Sequence, residues 1–303
     1  MFLLSYAGWK NCLRLANKEI ELIVTLDVGP RIIRFGLIGG ENEFAEYPEQ
    51  RTLANDGVYH SYGGHRLWAA PEVRGWTNHP DNSTLEWREE NDEFIFTAPK
   101  EEGTGLQKTI RISLDTNRNY VRINHIITNH SITNLILAPW AISVMAPGGR
   151  AIVPQEQFLP HDKNVRPVRP LVLWGYTDMQ DPRWTWGSRF IQLRQDSQAK
   201  TVQKFGAQVT QGWAAYINSD RVFFKHFSFD SQATYPDFGC NAEFYTNQRM
   251  LEFESLGPLS TPKPGEFVTH EENWYLFKNI QVGQSEEEIE ATLSPLLKMI
   301  LTS

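Results

Sequence analysis

The chain has 303 residues, 41% of them hydrophobic and 12% aromatic, and a formal net charge of -7. That composition supplies a sizeable core and excludes a disordered chain. With a pI near 5.7 and no basic block, no nucleic-acid or membrane partner is expected.

The two cysteines, Cys12 and Cys240, have no metal-ligand spacing and read as buried thiols in a reducing compartment. The opening MFLLSYAGWK lacks a basic stretch and a long apolar run, so neither a secretion signal nor a membrane span is expected. The expectation is a soluble, cytoplasmic protein, in which the Asn82-Ser83-Thr84 and Asn129-His130-Ser131 sequons carry no meaning.

Strand patterns begin at Glu19 to Leu26, turn at Asp27-Val28-Gly29-Pro30 and resume at Arg31 to Phe35. Gly39-Gly40-Glu41-Asn42 suits a hairpin turn. Phe94 to Phe96, Leu106 to Leu114 and Tyr120 to Thr128 follow. In the last of these, Val121, Ile123, His125 and Ile127 share one face, and His125 there reads as a core histidine. Leu135 to Met145 is nearly continuous apolar, as in a strand buried on both faces, and Pro139 within it suggests a bulge or a sheet edge. Phe190 to Leu193, Gly212 to Ile217, Arg221 to Phe229, Leu251 to Leu256 and Asn273 to Phe277 complete the strands. Ser285-Glu286-Glu287-Glu288 is a capping box opening a helical tail, which Ser294-Pro295 is expected to split in two. Many strands and little helix predict an all-β fold, two packed antiparallel sheets in one domain over 1–303. Two long irregular stretches, 48–92 and 146–189, are expected to carry function.

The first of these contains Ser61-Tyr62-Gly63-Gly64-His65-Arg66-Leu67-Trp68-Ala69-Ala70-Pro71-Glu72. Read as a loop, it offers an imidazole for proton transfer, a guanidinium that can fork onto hydroxyls or an anion, and an indole face suited to a sugar ring. A structural loop with a Trp anchor and a surface Arg is the plainer reading. Glu252 and Glu254 share one face of a strand, where two carboxylates repel unless they meet solvent, a cation or a polyhydroxylated ligand. Asp237 and Glu243 precede that strand and are expected to reach the same cleft, with Trp140 nearby. The sequence has no P-loop, dinucleotide fingerprint, Gly-x-Ser-x-Gly elbow or His-Glu-x-x-His, so no cofactor and no metal site is expected.

The Gly63-Gly64-His65-Arg66-Leu67-Trp68-x-x-Pro71-Glu72 segment resembles the galactose mutarotase-like superfamily. So do Thr128-Asn129 before the long apolar strand and Glu254 followed by Pro264-Gly265-Glu266. The pattern looks nearer to a branch outside the aldose 1-epimerases proper. The resemblance spans Gly29 to Phe277 and implies a supersandwich of two large antiparallel sheets with a sugar cleft. It implies Glu254, or alternatively Glu252, as the base that takes the anomeric proton. It implies His65 as the acid for the ring oxygen and Arg66 as a substrate clamp. The chain departs from the epimerases in the central strand, where Pro139 to Val144 contains no histidine; His130 lies earlier. The leading expectation is anomer interconversion of an aldose or sugar derivative. Glu254 and His65 are its catalytic pair, and Arg66, Trp68, Glu72, Trp140, Asp237, Glu243 and Glu252 are its substrate contacts. The alternatives are a non-catalytic carbohydrate-binding or sensing protein, or a sugar lyase or hydrolase using the carboxylates.

Overall fold

The computed structural model describes residues 1–53 and 57–301. Its strands run β1 (Phe2–Tyr6), β2 (Trp9–Ala16), β3 (Ile20–Thr25), β4 (Arg31–Leu37), β5 (Gly64–Ala70), β6 (Glu86–Glu90) and β7 (Glu93–Thr97). They continue with β8 (Leu106–Leu114), β9 (Tyr120–Asn129), β10 (Ala138–Met145), β11 (Arg150–Pro154), β12 (Leu171–Leu173), β13 (Trp184–Trp186) and β14 (Phe190–Arg194). The last are β15 (Gln203–Ala207), β16 (Trp213–Asn218), β17 (Arg221–Phe227), β18 (Ala242–Thr246), β19 (Leu251–Leu256) and β20 (Phe267–Phe277). They form two 10-stranded antiparallel sheets. One has the order β1-β2-β3-β4-β5-β10-β19-β18-β15-β12, the other β13-β14-β11-β16-β17-β20-β9-β8-β7-β6. The facing sides enclose one large apolar core that includes Phe35, Leu67, Phe96, Phe223, Phe253 and Trp274. This is the expected all-β sandwich.

The alternation in Leu106–Leu114 and Tyr120–Asn129 reads directly as burial, inward residues buried and outward ones partly exposed. The apolar run ending at Met145 becomes β10, buried at every position in mid-sheet between β5 and β19. Pro139 therefore sits in a central strand, not at an edge or bulge. It is the second residue of β10, opposite Ala69, and its carbonyl accepts the Gly257 N–H. Gly39 and Gly40 do turn the chain, but the segment after them is not a hairpin partner. β4 pairs with β3 and β5, and Phe44 makes only an isolated bridge to Met145.

The capping box forms as read: the Glu288 carboxylate accepts the Ser285 N–H and the Glu288 N–H reaches Ser285 Oγ. The tail is one helix, Glu286–Leu301, with Pro295 inside it. Ile289, Leu293 and Ile300 anchor it to the outer face of the second sheet beside Trp213 and Phe224, which holds the helix through the proline. Among the described residues no helix is long and apolar enough to cross a membrane. Cys12 and Cys240 are buried free thiols.

Candidate functional site

Residues 64–70, expected in a loop, form the central strand β5. Successive side chains of a strand point to opposite faces. Leu67 and Ala69 thus join the core between the sheets, while Trp68 and Ala70 face outward with Trp140, Ile142 and Leu256. Register then sets the neighbours on this outer face: Arg31 opposite Arg66, Trp68 opposite Trp140, Ile142 opposite Glu254, and Glu254 opposite Glu243. The face carries a cavity of about 310 Å³, lined by Arg66, Trp68, Trp140, Lys204 and Glu252, with Tyr59, Tyr176 and Tyr245 completing its aromatic wall. That volume is at the lower end for small-molecule pockets.

Two charged groups organise the cavity. At one end Arg66, 2% exposed, donates from Nη2 to Glu252 Oε1 at 2.8 Å and stacks 4.5 Å from the Trp68 ring. Burial opposes its charge, but Tyr59 and Glu252 outweigh burial and raise its pKa. At the other end Lys204 Nζ lies 2.6 Å from Glu243 Oε2 and 3.3 Å from Glu254 Oε2, over the rings of Trp140 and Trp174. Trp140 Nε1 donates to the same Glu254 oxygen at 2.8 Å. Burial raises the pKa of Glu254, Lys204 pulls it back, and Glu252 adds to the rise. Burial pushes Glu243 further, well above the carboxylate range. Lys204 is held protonated because Glu254 and Glu243 outweigh the cost of its burial. Glu254 Oε1 is buried without a hydrogen-bond partner, as are Arg66 Nε and Nη1 and Trp68 Nε1.

Glu252 and Glu254 share the outward face, as their spacing requires. Glu252 and the exposed Glu72 line the cavity, whereas Glu254 and Glu243, 1% and 0% exposed, lie behind Lys204. Asp237 is not among the lining residues. It sits in the turn Pro236–Gly239, where its charge adds to the rise in Glu243.

His65 needs correction as a cleft acid. One residue before Arg66 on a strand, it points into the core and is 0% exposed. Its environment is a closed polar network. His125 Nδ1 donates to the His270 carbonyl at 3.0 Å, which leaves His125 Nε2 to accept from His65 Nε2 at 2.7 Å. His65 Nδ1 then accepts from Ser143 Oγ, which in turn accepts from Lys225 Nζ. Lys225 also reaches Glu272 Oε1 at 2.8 Å and the Phe253 carbonyl. The tautomers are assigned from these partners. His65, His125 and Glu272 bring one ligand-type atom each within 4.8 Å of one another. Those atoms are taken, however. The two Nε2 atoms bond each other, Glu272 Oε2 accepts Trp274 Nε1, and Lys225 Nζ already lies against Glu272 Oε1. His130 lies just past β9 on the other sheet, bonded to Gln107. Among the described residues no histidine lines the cavity.

Lys204 carries no signal in the sequence, while Tyr59 and Tyr176 come from the two long irregular stretches expected to carry function. Gln203–Ala207 has one charge in five residues, with no motif around it to mark Lys204. A larger depression of about 670 Å³ lies against the C-terminal helix, but its charged residues Glu156, Arg189 and Glu290 are not buried.

No protein-family model matches the chain, and no curated protein sequence matches it. Solved structures do. An aldose 1-epimerase candidate from Klebsiella pneumoniae superposes with a TM-score of 0.63 at 11% identity, over 95% of this chain and 83% of that one. A galactose mutarotase-like protein from Lactobacillus casei gives 0.58 at 8%, over 88% and 100%. A TPR-domain containing protein from Parabacteroides distasonis gives 0.57 at 10% over 90% of this chain, which spans about half (48%) of that longer protein. At such identities the likeness is one of fold, and the fold is galactose mutarotase-like.

Proposed function

We propose that this galactose mutarotase-like fold binds a monosaccharide in the cleft on its first sheet and interconverts the sugar's anomers, with Glu254 as base. The observation that carries this reading is the aromatic-walled cavity over a buried Lys204–Glu254 pair whose Glu254 Oε1 has no partner. Indole and phenol faces suit the C–H faces of a pyranose. An unpartnered, desolvated carboxylate oxygen suits a hydroxyl proton.

In the reaction Glu254 takes the anomeric O–H proton as the C1–O5 bond breaks and C1=O forms, and Lys204 Nζ supplies a proton to O5. The two events assist each other. Lys204 holds its proton largely because of Glu254 and Glu243, so neutralising Glu254 loosens it. After rotation about C1–C2, O5 attacks C1, its proton returns to Lys204 Nζ, and Glu254 gives its proton to the new anomeric oxygen, which closes the ring as the other anomer and restores the pair.

The test is anomer exchange by NMR or polarimetry over neutral, acidic and phosphorylated aldoses. Glu254→Gln should slow exchange by about 10²–10⁴-fold while leaving the fold intact. Unchanged exchange removes Glu254 from the mechanism. The placement of His65 in the core favours a second reading, a cleft that binds sugar without chemistry. Saturable binding with no faster exchange selects that reading.

A further inference from the structure

The unpartnered polar atoms around the cleft are sorted by kind. Next to Lys204 the atoms without a hydrogen-bond partner are acceptors, Glu254 Oε1 and the Glu243 oxygens, of which Oε2 is ion-paired to Lys204. Around Arg66 they are donors: Arg66 Nε and Nη1 and Trp68 Nε1, with Ser61 Oγ beside them. Behind this end stands a second guanidinium. Arg31 is directly opposite Arg66 across β4 and β5 and is 0% exposed. Its Nη1 is committed to the carbonyls of Ser61 and Gly63, while Nε and Nη2 have no hydrogen-bond partner. Asp81 is 3.9 Å from Nη2 and is itself bonded to Lys108.

Like charges directly opposite in a sheet oppose each other, and burial weakens the screening between them. The Arg31 pKa is accordingly pulled down to about 10, first by burial and then by Arg66. Glu252 meets one N–H of Arg66 and leaves the rest. A neutral hydroxyl can accept from such donors but must also place its own hydrogen, for which Glu252 and Ser61 Oγ stand nearby. A carboxylate or phosphate is acceptor-only and matches these donors.

We propose that the Arg66 end of the cleft is an oxyanion subsite. The sugar bound there carries a carboxylate or phosphate, held by Arg66, Trp68 Nε1 and Ser61 Oγ with the Arg31 charge behind. This rests on the sugar-binding reading above and names the class of sugar. The anionic group docks at Arg66 and the hydroxylated end points toward Lys204 and Glu254. The cleft is thus directional, so an acidic sugar enters in one orientation.

The test is isothermal titration of the full chain with matched sets: glucose, glucuronate and glucose 6-phosphate, then galactose, galacturonate and galactose 6-phosphate. At least one acidic member should bind about 10-fold or more tightly than its neutral parent, and which member wins tells carboxylate from phosphate. In Arg66→Lys, and separately in the milder pair Ser61→Ala with Trp68→Phe, that ratio should shrink several-fold while the neutral parent's affinity changes less. Thermal melts confirm that each variant folds. Equal binding of neutral and acidic members overturns the oxyanion subsite and leaves the sugar reading standing. If no sugar binds, the sugar reading falls and takes the subsite with it. A preference for acidic sugars that survives both sets of substitutions places the anion elsewhere and also overturns the proposal.

Discussion

His65, His125 and His270 are held neutral by burial, which lowers all three pKa values, His125 and His270 to about 3. The unfolded chain takes up these protons below about pH 6.5; in the folded chain His125 and His270 take theirs only near 3, and His65 also well below its ordinary value. Their stabilisation is therefore complete above pH 6.5 and is lost as pH falls toward 3, at about 1.4 kcal/mol per pH unit for each histidine. Glu43, Glu243 and Glu254, raised by burial, act in the opposite sense between their folded values and the ordinary 4.5. The urea midpoint should fall less steeply from pH 6.5 to 4.5, where the two sets oppose each other, than below 4.5, where only losses remain. The imidazole carbon shifts of His65, His125 and His270 should stay flat from pH 8 to 5. A titration in that range would show the network to be open to solvent. The alternation of its strand marks His125 as a core residue in the sequence, but a glycine-flanked histidine carries no sign of the same fate.

At the scale of elements, the start of β5 decides the site. Gly63 and Gly64 have φ of +76° and +71°, and a Cβ on them would lie 2.0 Å from the Ala45 carbonyl and 2.4 Å from the Ile32 carbonyl. Those are backbone atoms and cannot yield. Gly63→Ala or Gly64→Ala should cost more than about 3 kcal/mol and weaken ligand binding, because β5 carries Arg66 and Trp68. Gly265→Ala is the control. Its φ is +87° but nothing lies within 4 Å, so about 1 kcal/mol of backbone strain is all it should add. Urea melts of the three variants compare them, and equal losses would mean that close approach at β5 is unimportant. The strand escapes sequence reading for a physical reason. A strand buried on both faces shows no polar alternation, and His-Arg-Leu-Trp-Ala-Ala between turn residues looks like a loop.

At the scale of the whole molecule, the two faces of the sandwich do different work. The cleft opens on the first sheet, while the C-terminal helix covers the outer face of the second. Removing residues 285–303 strips Ile289, Leu293 and Ile300 from their cluster, each contributing about 1.5–3 kcal/mol by burial. It also removes Gln284's neighbour at the cap and uncovers Trp213 and Phe224. The truncated chain should melt lower and bind a hydrophobic dye, yet retain its affinity for cleft ligands. Loss of that affinity at temperatures where circular dichroism still shows the folded sheets would couple the helix to the site.

From sequence alone came about half of the strands, the capping box and the pairing of Glu252 with Glu254 on one face, because a period of two and a cap motif are local properties. Which face of each strand is covered is not local. It depends on where the second sheet packs, and that packing turned His65 inward to Ser143 and His125 while Arg66 turned outward to Glu252. Lys204 met Glu243 and Glu254 only through the register of three strands. Tertiary structure alone could show this meeting, since residues 39 to 50 apart in the chain become neighbours only when the sheet forms.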